Sequence, residues 1–110
     1  MSFICNGIDI IEIDRIRNVL LKYGDRFLNK IFTTDEIQYC KGRAPNLAGR
    51  FAAKEATMKA LKTGTRGVSW KDIEVVRAKS GAPSIKLYNR ALDRSKSLGI
   101  DNITLSFTHS

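Results

Sequence analysis

The sequence predicts an α+β fold in which a small antiparallel sheet packs against one long central helix. Three observations predict it. A helical pattern opens at Pro45 and Asn46 and runs to about Leu61 or Lys62. Two β-rich runs, DIEVVRA (72–78) and SIKLY (84–88), flank the tight turn Ser80-Gly81-Ala82-Pro83 and should pair back on each other. Strand-like runs stand near both ends of the chain, FICNGI (3–8) and ITLSFTH (103–109), with helices filling most of the space between.

Taken in order, FICNGI is punctuated by Gly7, and EIDRIRNVLLK (12–22) sets Ile13, Ile16, Val19 and Leu20 at helical spacing before Gly24, a C-cap. A short helical piece over 25–31 supplies Phe27 and Ile31. Thr33 followed by Glu36 is a capping-box pair that opens a helix over 34–41. The long helix carries a stripe of small residues, Gly49, Ala52, Ala53, Ala56 and Ala60, suited to close backbone approach and expected to be its packing face. Its other side carries Phe51, Glu55, Lys59 and Lys62. Gly64 and Gly67 break the helix, the hairpin follows, and a last helix over 89–98 ends at Gly99.

At 110 residues the chain fits one domain, and its 43% hydrophobic content can bury a modest core. A catalytic cleft in so small a domain is more easily completed by a second subunit. The net charge of +8 points to acidic partners: nucleic acid, phosphorylated small molecules, an anionic membrane or an acidic protein. Charge alone does not choose among them. Cys5 and Cys40 form no C-x-x-C motif and read as reduced thiols. The N-terminus is acidic where a signal peptide is basic, and no apolar run is long enough to span a membrane. A soluble, cytoplasmic protein is expected.

The candidate chemistry begins with acids. Asp9 sits where a strand gives way to a helix, so it can cap that helix or point into a cleft and hold a cation. Glu12 and Asp14 suit the helix N-terminus. Glu55 and Lys59, four apart, make either a surface ion pair worth a few tenths of a kcal/mol or part of a site. Phe51 on the same face, and Arg50, Lys54 and Lys62 crowding one acid, favour a site. Asp9 and Glu55 together suit Mg²⁺, which keeps waters and takes further oxygens from a bound phosphate. The loop KTGTRG (62–67) can offer backbone N–H groups and cations to phosphate, although it follows its helix and lacks the P-loop order. His109, the only histidine, follows a strand-like run and can donate to a phosphate. Arg15, Arg17, Lys22, Arg26 and Lys30 form either a solvated face or a docking surface for an acidic helix or nucleic acid. No nucleic-acid-binding motif, nucleophile triad, Cys/His metal cluster or dinucleotide fingerprint is present. Residues alone therefore leave two readings open: a metal- and phosphate-using enzyme, or a non-catalytic basic module that binds RNA or an acidic protein.

GIDIIEI (7–13) and FAAKEATMK (51–59), about forty residues apart, resemble the two signature motifs of the 4′-phosphopantetheinyl transferases. The spacing, the chain length, the preceding AGR (48–50), the SGAPSI turn and the terminal SFTHS resemble the small holo-acyl-carrier-protein synthase type within that family. The resemblance implies that fold and transfer of the phosphopantetheine arm of coenzyme A to a serine of apo-acyl carrier protein, with release of adenosine 3′,5′-bisphosphate and a requirement for Mg²⁺. It implies Asp9 and Glu55 as metal ligands, Lys59 against the attacked phosphate, and Glu55 or a metal-held water as acceptor of the serine proton. By the same resemblance Lys62, Thr63, Gly64, Pro83 and His109 border the coenzyme. Arg15, Arg26, Lys30, Arg50 and Phe51 face the carrier protein, and the assembly is a homotrimer with sites between subunits. There are two departures from the family. It usually has glycine where Lys62 stands, and it continues past the Thr-His-Ser segment into an alanine-rich strand that this chain, ending at Ser110, is expected to lack.

Overall fold

The structure, a computed structural model, describes residues 10–62, 67–77, 81 and 83–99. The expected strands over 3–8 and 103–109, and Cys5, lie outside them. In chain order come helices α1 (Ile10–Tyr23), α2 (Asp25–Ile31), α3 (Thr34–Cys40) and α4 (Ala44–Ala60). A 3-10 turn (Trp70–Asp72), strands β1 (Ile73–Arg77) and β2 (Pro83–Leu87), and helix α5 (Asn89–Ser97) complete the order. The two strands pair antiparallel, from Ile73 opposite Leu87 to Arg77 opposite Pro83. β1 packs on α4, and α1 crosses α4 nearer its start. The α+β expectation, a small antiparallel sheet on a long helix, is what the structure shows.

Local chemistry sets the boundaries. Gly24 takes φ 55° and ψ −128°, a conformation open to glycine, so one residue ends α1 and opens α2. Its N–H donates to the Leu20 carbonyl at 2.8 Å. Thr33 caps α3 as its sequence predicts: its hydroxyl accepts from the Glu36 N–H at 3.3 Å, and its own N–H donates to Glu36 Oε1 at 2.9 Å. β1 starts one residue later than expected. The reason is that Asp72 closes a second capping box, accepting from the Ser69 N–H at 3.1 Å, which folds 70–72 into a turn. Tyr88 leaves β2 to become the residue that precedes α5.

The interior forms two apolar clusters. One gathers Ile16, Ile31, Phe32, Cys40, Leu47 and Ala48 from α1 to α4. The other joins Met58, Leu61, Val68, Ile73 and Ala91. Trp70 packs against both and stacks on Phe51 with ring centroids 5.0 Å apart. Burial pushes the Cys40 thiol above its ordinary range, consistent with an unreactive reduced cysteine.

α4 spans both clusters, and its packing face differs from the small-residue stripe. Gly49 and Ala53 are buried, but Ala56 and Ala60 are exposed. Leu47, Arg50, Lys54, Thr57, Met58 and Leu61 point inward instead. Long polar side chains can occupy an interior face when internal partners satisfy them. Lys54, fully buried, has three such partners. Its ammonium lies 2.8 Å from Glu36 Oε1 and donates to the carbonyls of Trp70, at 3.0 Å, and Ile73. Glu36 Oε2 accepts the Val75 N–H at 2.8 Å. The network continues as the Thr33 hydroxyl donates to Glu74 Oε2 and the Tyr88 hydroxyl donates to Glu74 Oε1 at 2.8 Å. Burial pulls the Lys54 ammonium below the ordinary lysine range, and Glu36 pushes back.

Two outcomes are expected. Glu36→Ala strands the Lys54 charge and two backbone N–H groups in the interior, so urea unfolding should show a loss of about 3–5 kcal/mol. The hydrogen bond to Glu74 holds the Tyr88 phenol above its usual value of 10.0. Because this native value exceeds the unfolded one, its stabilisation is present below pH 10 and is lost as pH rises through the native value. Tyrosine absorbance should therefore show a late-titrating component that Tyr88→Phe removes.

Candidate active site

A helix turns about 100° per residue, which separates the roles of neighbours on α4. With Lys54 at the centre of the buried face, Glu55 lies about 100° away and Lys59 about 140° away, so both emerge on one flank. Both are exposed. Among the described residues the Glu55 carboxylate makes no hydrogen bond or ion pair, and the Glu55–Lys59 surface pair is not formed. An exposed, unpaired carboxylate remains available to a cation or a proton donor.

The expected crowd of cations around Glu55 is corrected in its membership. Lys54 turns inward to Glu36 and takes no part in it. Arg50 is also drawn in, 6% exposed, with its guanidinium 4.3 Å from the Tyr39 ring centroid. Arg43 and Arg77 lie over the same ring at 6.0 and 5.1 Å. Arg50 Nη1 reaches the Asn46 carbonyl at 3.5 Å, and its Nε has no hydrogen-bond partner among the described residues.

Of the side chains expected to face a protein partner, Arg15, Arg26 and Lys30 are exposed on α1 and α2. Arg15 forms a salt bridge with Glu12 at 2.9 Å. Phe51 is half-buried, its ring occupied by Trp70 and Phe27. Sequence reasoning missed this inward draw of Arg50 and Phe51. The Leu47–Arg50–Lys54–Met58–Leu61 spacing was the signal that could have found the first.

Lys62 is exposed at the C-terminal end of α4 with φ 59°, a left-handed conformation. Its N–H donates to the Lys59 carbonyl at 3.0 Å, which terminates the helix. Pro83, half-buried, opens β2 opposite Arg77, where its lack of an N–H is tolerated. Asp9, Thr63, Gly64 and His109 lie outside the described residues. Gly67, Val68 and Ser69 line an open recess of about 420 Å³ together with Asp72, Asn89 and Arg90.

No group of three or more His, Cys, Asp and Glu side chains converges as a metal site among the described residues. No described helix is long and apolar enough to cross a membrane.

Residues 6–108 match the 4′-phosphopantetheinyl transferase superfamily. Over 106 residues the chain is 50% identical to the holo-[acyl-carrier-protein] synthase of Maridesulfovibrio salexigens, covering 94% of this chain and 86% of that protein. The fold is similar to the crystal structure of the Neisseria meningitidis holo-[acyl-carrier-protein] synthase, with TM-score 0.73, 31% identity, and 82% of this chain and 75% of that one covered. It is also similar to the Helicobacter pylori holo-[acyl-carrier-protein] synthase in complex with coenzyme A, with TM-score 0.68 and 34% identity. That likeness covers 74% of this chain and 71% of the other.

The φ of 59° places Lys62 in a left-handed conformation that favours glycine. A Cβ there costs roughly 1–2 kcal/mol, partly offset by the greater entropy glycine loses on folding. Lys62→Gly should therefore raise stability by about 0.5–1 kcal/mol, read as a higher Tm by calorimetry.

Proposed function

The chain belongs to the 4′-phosphopantetheinyl transferase superfamily, and from that premise we propose that it transfers the 4′-phosphopantetheine group of coenzyme A to a serine of apo-acyl carrier protein. Holo-acyl carrier protein and adenosine 3′,5′-bisphosphate are the products. The observation that carries this reading is the flank of α4 where Glu55, exposed and unpaired, stands beside Lys59 within the matched span. The named relatives, one of them in complex with coenzyme A, support the same substrate pair.

The serine oxygen attacks the phosphorus that bears the pantetheine arm, and the bridging bond of the pyrophosphate breaks. The leaving phosphate carries away the electron pair, and the serine proton goes to a base. Glu55 serves as that base. Lys59 sets its ammonium against the attacked phosphate, whose charge otherwise repels the incoming oxygen. Lys62, Thr63, Gly64, Pro83 and His109 border the coenzyme. Asp9 and Glu55 would hold Mg²⁺, which neutralises pyrophosphate charge when bound. The exposed Arg15, Arg26 and Lys30 offer an acidic carrier a complementary surface. A single domain over 1–110, a cytoplasmic homotrimer and a role in fatty acid biosynthesis complete the proposal.

The test is mass spectrometry of apo-carrier protein incubated with this chain, coenzyme A and Mg²⁺. A gain of one phosphopantetheinyl group is expected, with Glu55→Ala slowing the transfer by about 10²-fold or more. Undiminished transfer by Glu55→Ala would remove Glu55 from the site, and no transfer by the wild-type chain would leave a basic binding module.

A further inference from the structure

Lys54 is a fully buried cation that the transfer chemistry does not use, one residue before an acid that it does use. The apolar face of α4 is permissive. Leu47, Met58 and Leu61 gain from burial whatever their direction, so they tolerate small rotations of the helix. Hydrogen bonds do not, because they weaken steeply away from linearity. Lys54 is the point at which α4 acquires a direction. Its three N–H donors meet three acceptors on three segments: Glu36 on α3, the Trp70 carbonyl in the 3-10 turn and the Ile73 carbonyl at the start of β1.

Resting on the reading of Glu55 and Lys59 given above, we infer that Lys54 is a positioning residue for the transfer: its three internal bonds fix the rotation and height of α4, and so the place where Glu55 and Lys59 meet the phosphates. The lever is sensitive. A carboxylate roughly 6 Å from a helix axis moves about 1 Å for a rotation of about 10°. Misplacement by about 1 Å can cost about 10²-fold in rate.

The test variant is Glu36→Gln with Lys54→Met, which removes both charges together and keeps an oxygen to accept the Val75 N–H. Tyr88→Phe is the control, since it disturbs the Glu74 end of the same network and leaves the bonds of Lys54 in place. On protein shown folded by circular dichroism, the double variant should lose about 10²-fold in kcat while KM for carrier protein stays within about twofold. Amide exchange along 55–60 should accelerate in the double variant and not in Tyr88→Phe. A folded double variant with wild-type kcat overturns the inference, as does an equal loss in Tyr88→Phe. If the double variant does not fold, Lys54→Arg takes its place, and wild-type kcat in folded Lys54→Arg overturns the inference in the same way. Absence of transfer by the wild-type chain overturns the function itself, so the two failures are told apart.

Discussion

The bond between Lys54 and Glu36 is the constraint on which the arrangement of the described residues depends. It lies where the two apolar clusters meet and ties the interior of α4 to α3, while the carbonyls of Trp70 and Ile73 tie it to the sheet side. Desolvating two charges offsets much of their attraction, so the pair adds little net stability over apolar residues of equal volume. What it adds is exclusivity. Any other packing of α4 on β1 leaves a charge, or the Val75 N–H, without a partner in a dry interior.

Charge is distributed around that centre with a consistent logic. The interior cation is matched, whereas three arginines share the face of Tyr39, where ring and carbonyl contacts take up part of their charge. Exposed cations also stand on α1, α2, α5 and the outer flank of α4. A polar interior and a solvent-facing flank thus meet along one helix.

Much of this was legible in the sequence. Periodicity placed the helices, the Thr33–Glu36 pair announced its capping box, and a turn between β-rich runs announced the hairpin. The departures arose where local rules compete with distant contacts. Asp72 joined Ser69 in a cap where the strand was expected to begin. A lysine in a basic helix reads as solvated, and only the contact with Glu36, eighteen positions away in the chain, turns Lys54 inward. Alanine was expected to line the packing face, but longer side chains with partners filled it. The spacing of Glu55 and Lys59 put both on one flank of α4, where they are exposed, and Lys62 takes a left-handed backbone at the helix end.

The adjacency of Lys54 and Glu55 has a consequence for how such a sequence can change. Read as a dipeptide the two form one motif, yet they face different surroundings. Lys54 is held by the interior, where Glu36 and two carbonyls meet its ammonium, whereas Glu55 is held by whatever meets the surface. A lineage that gave up the chemistry would be free to lose Glu55 at once while still retaining Lys54. Half of the motif would then outlast its function, as a fossil of the fold.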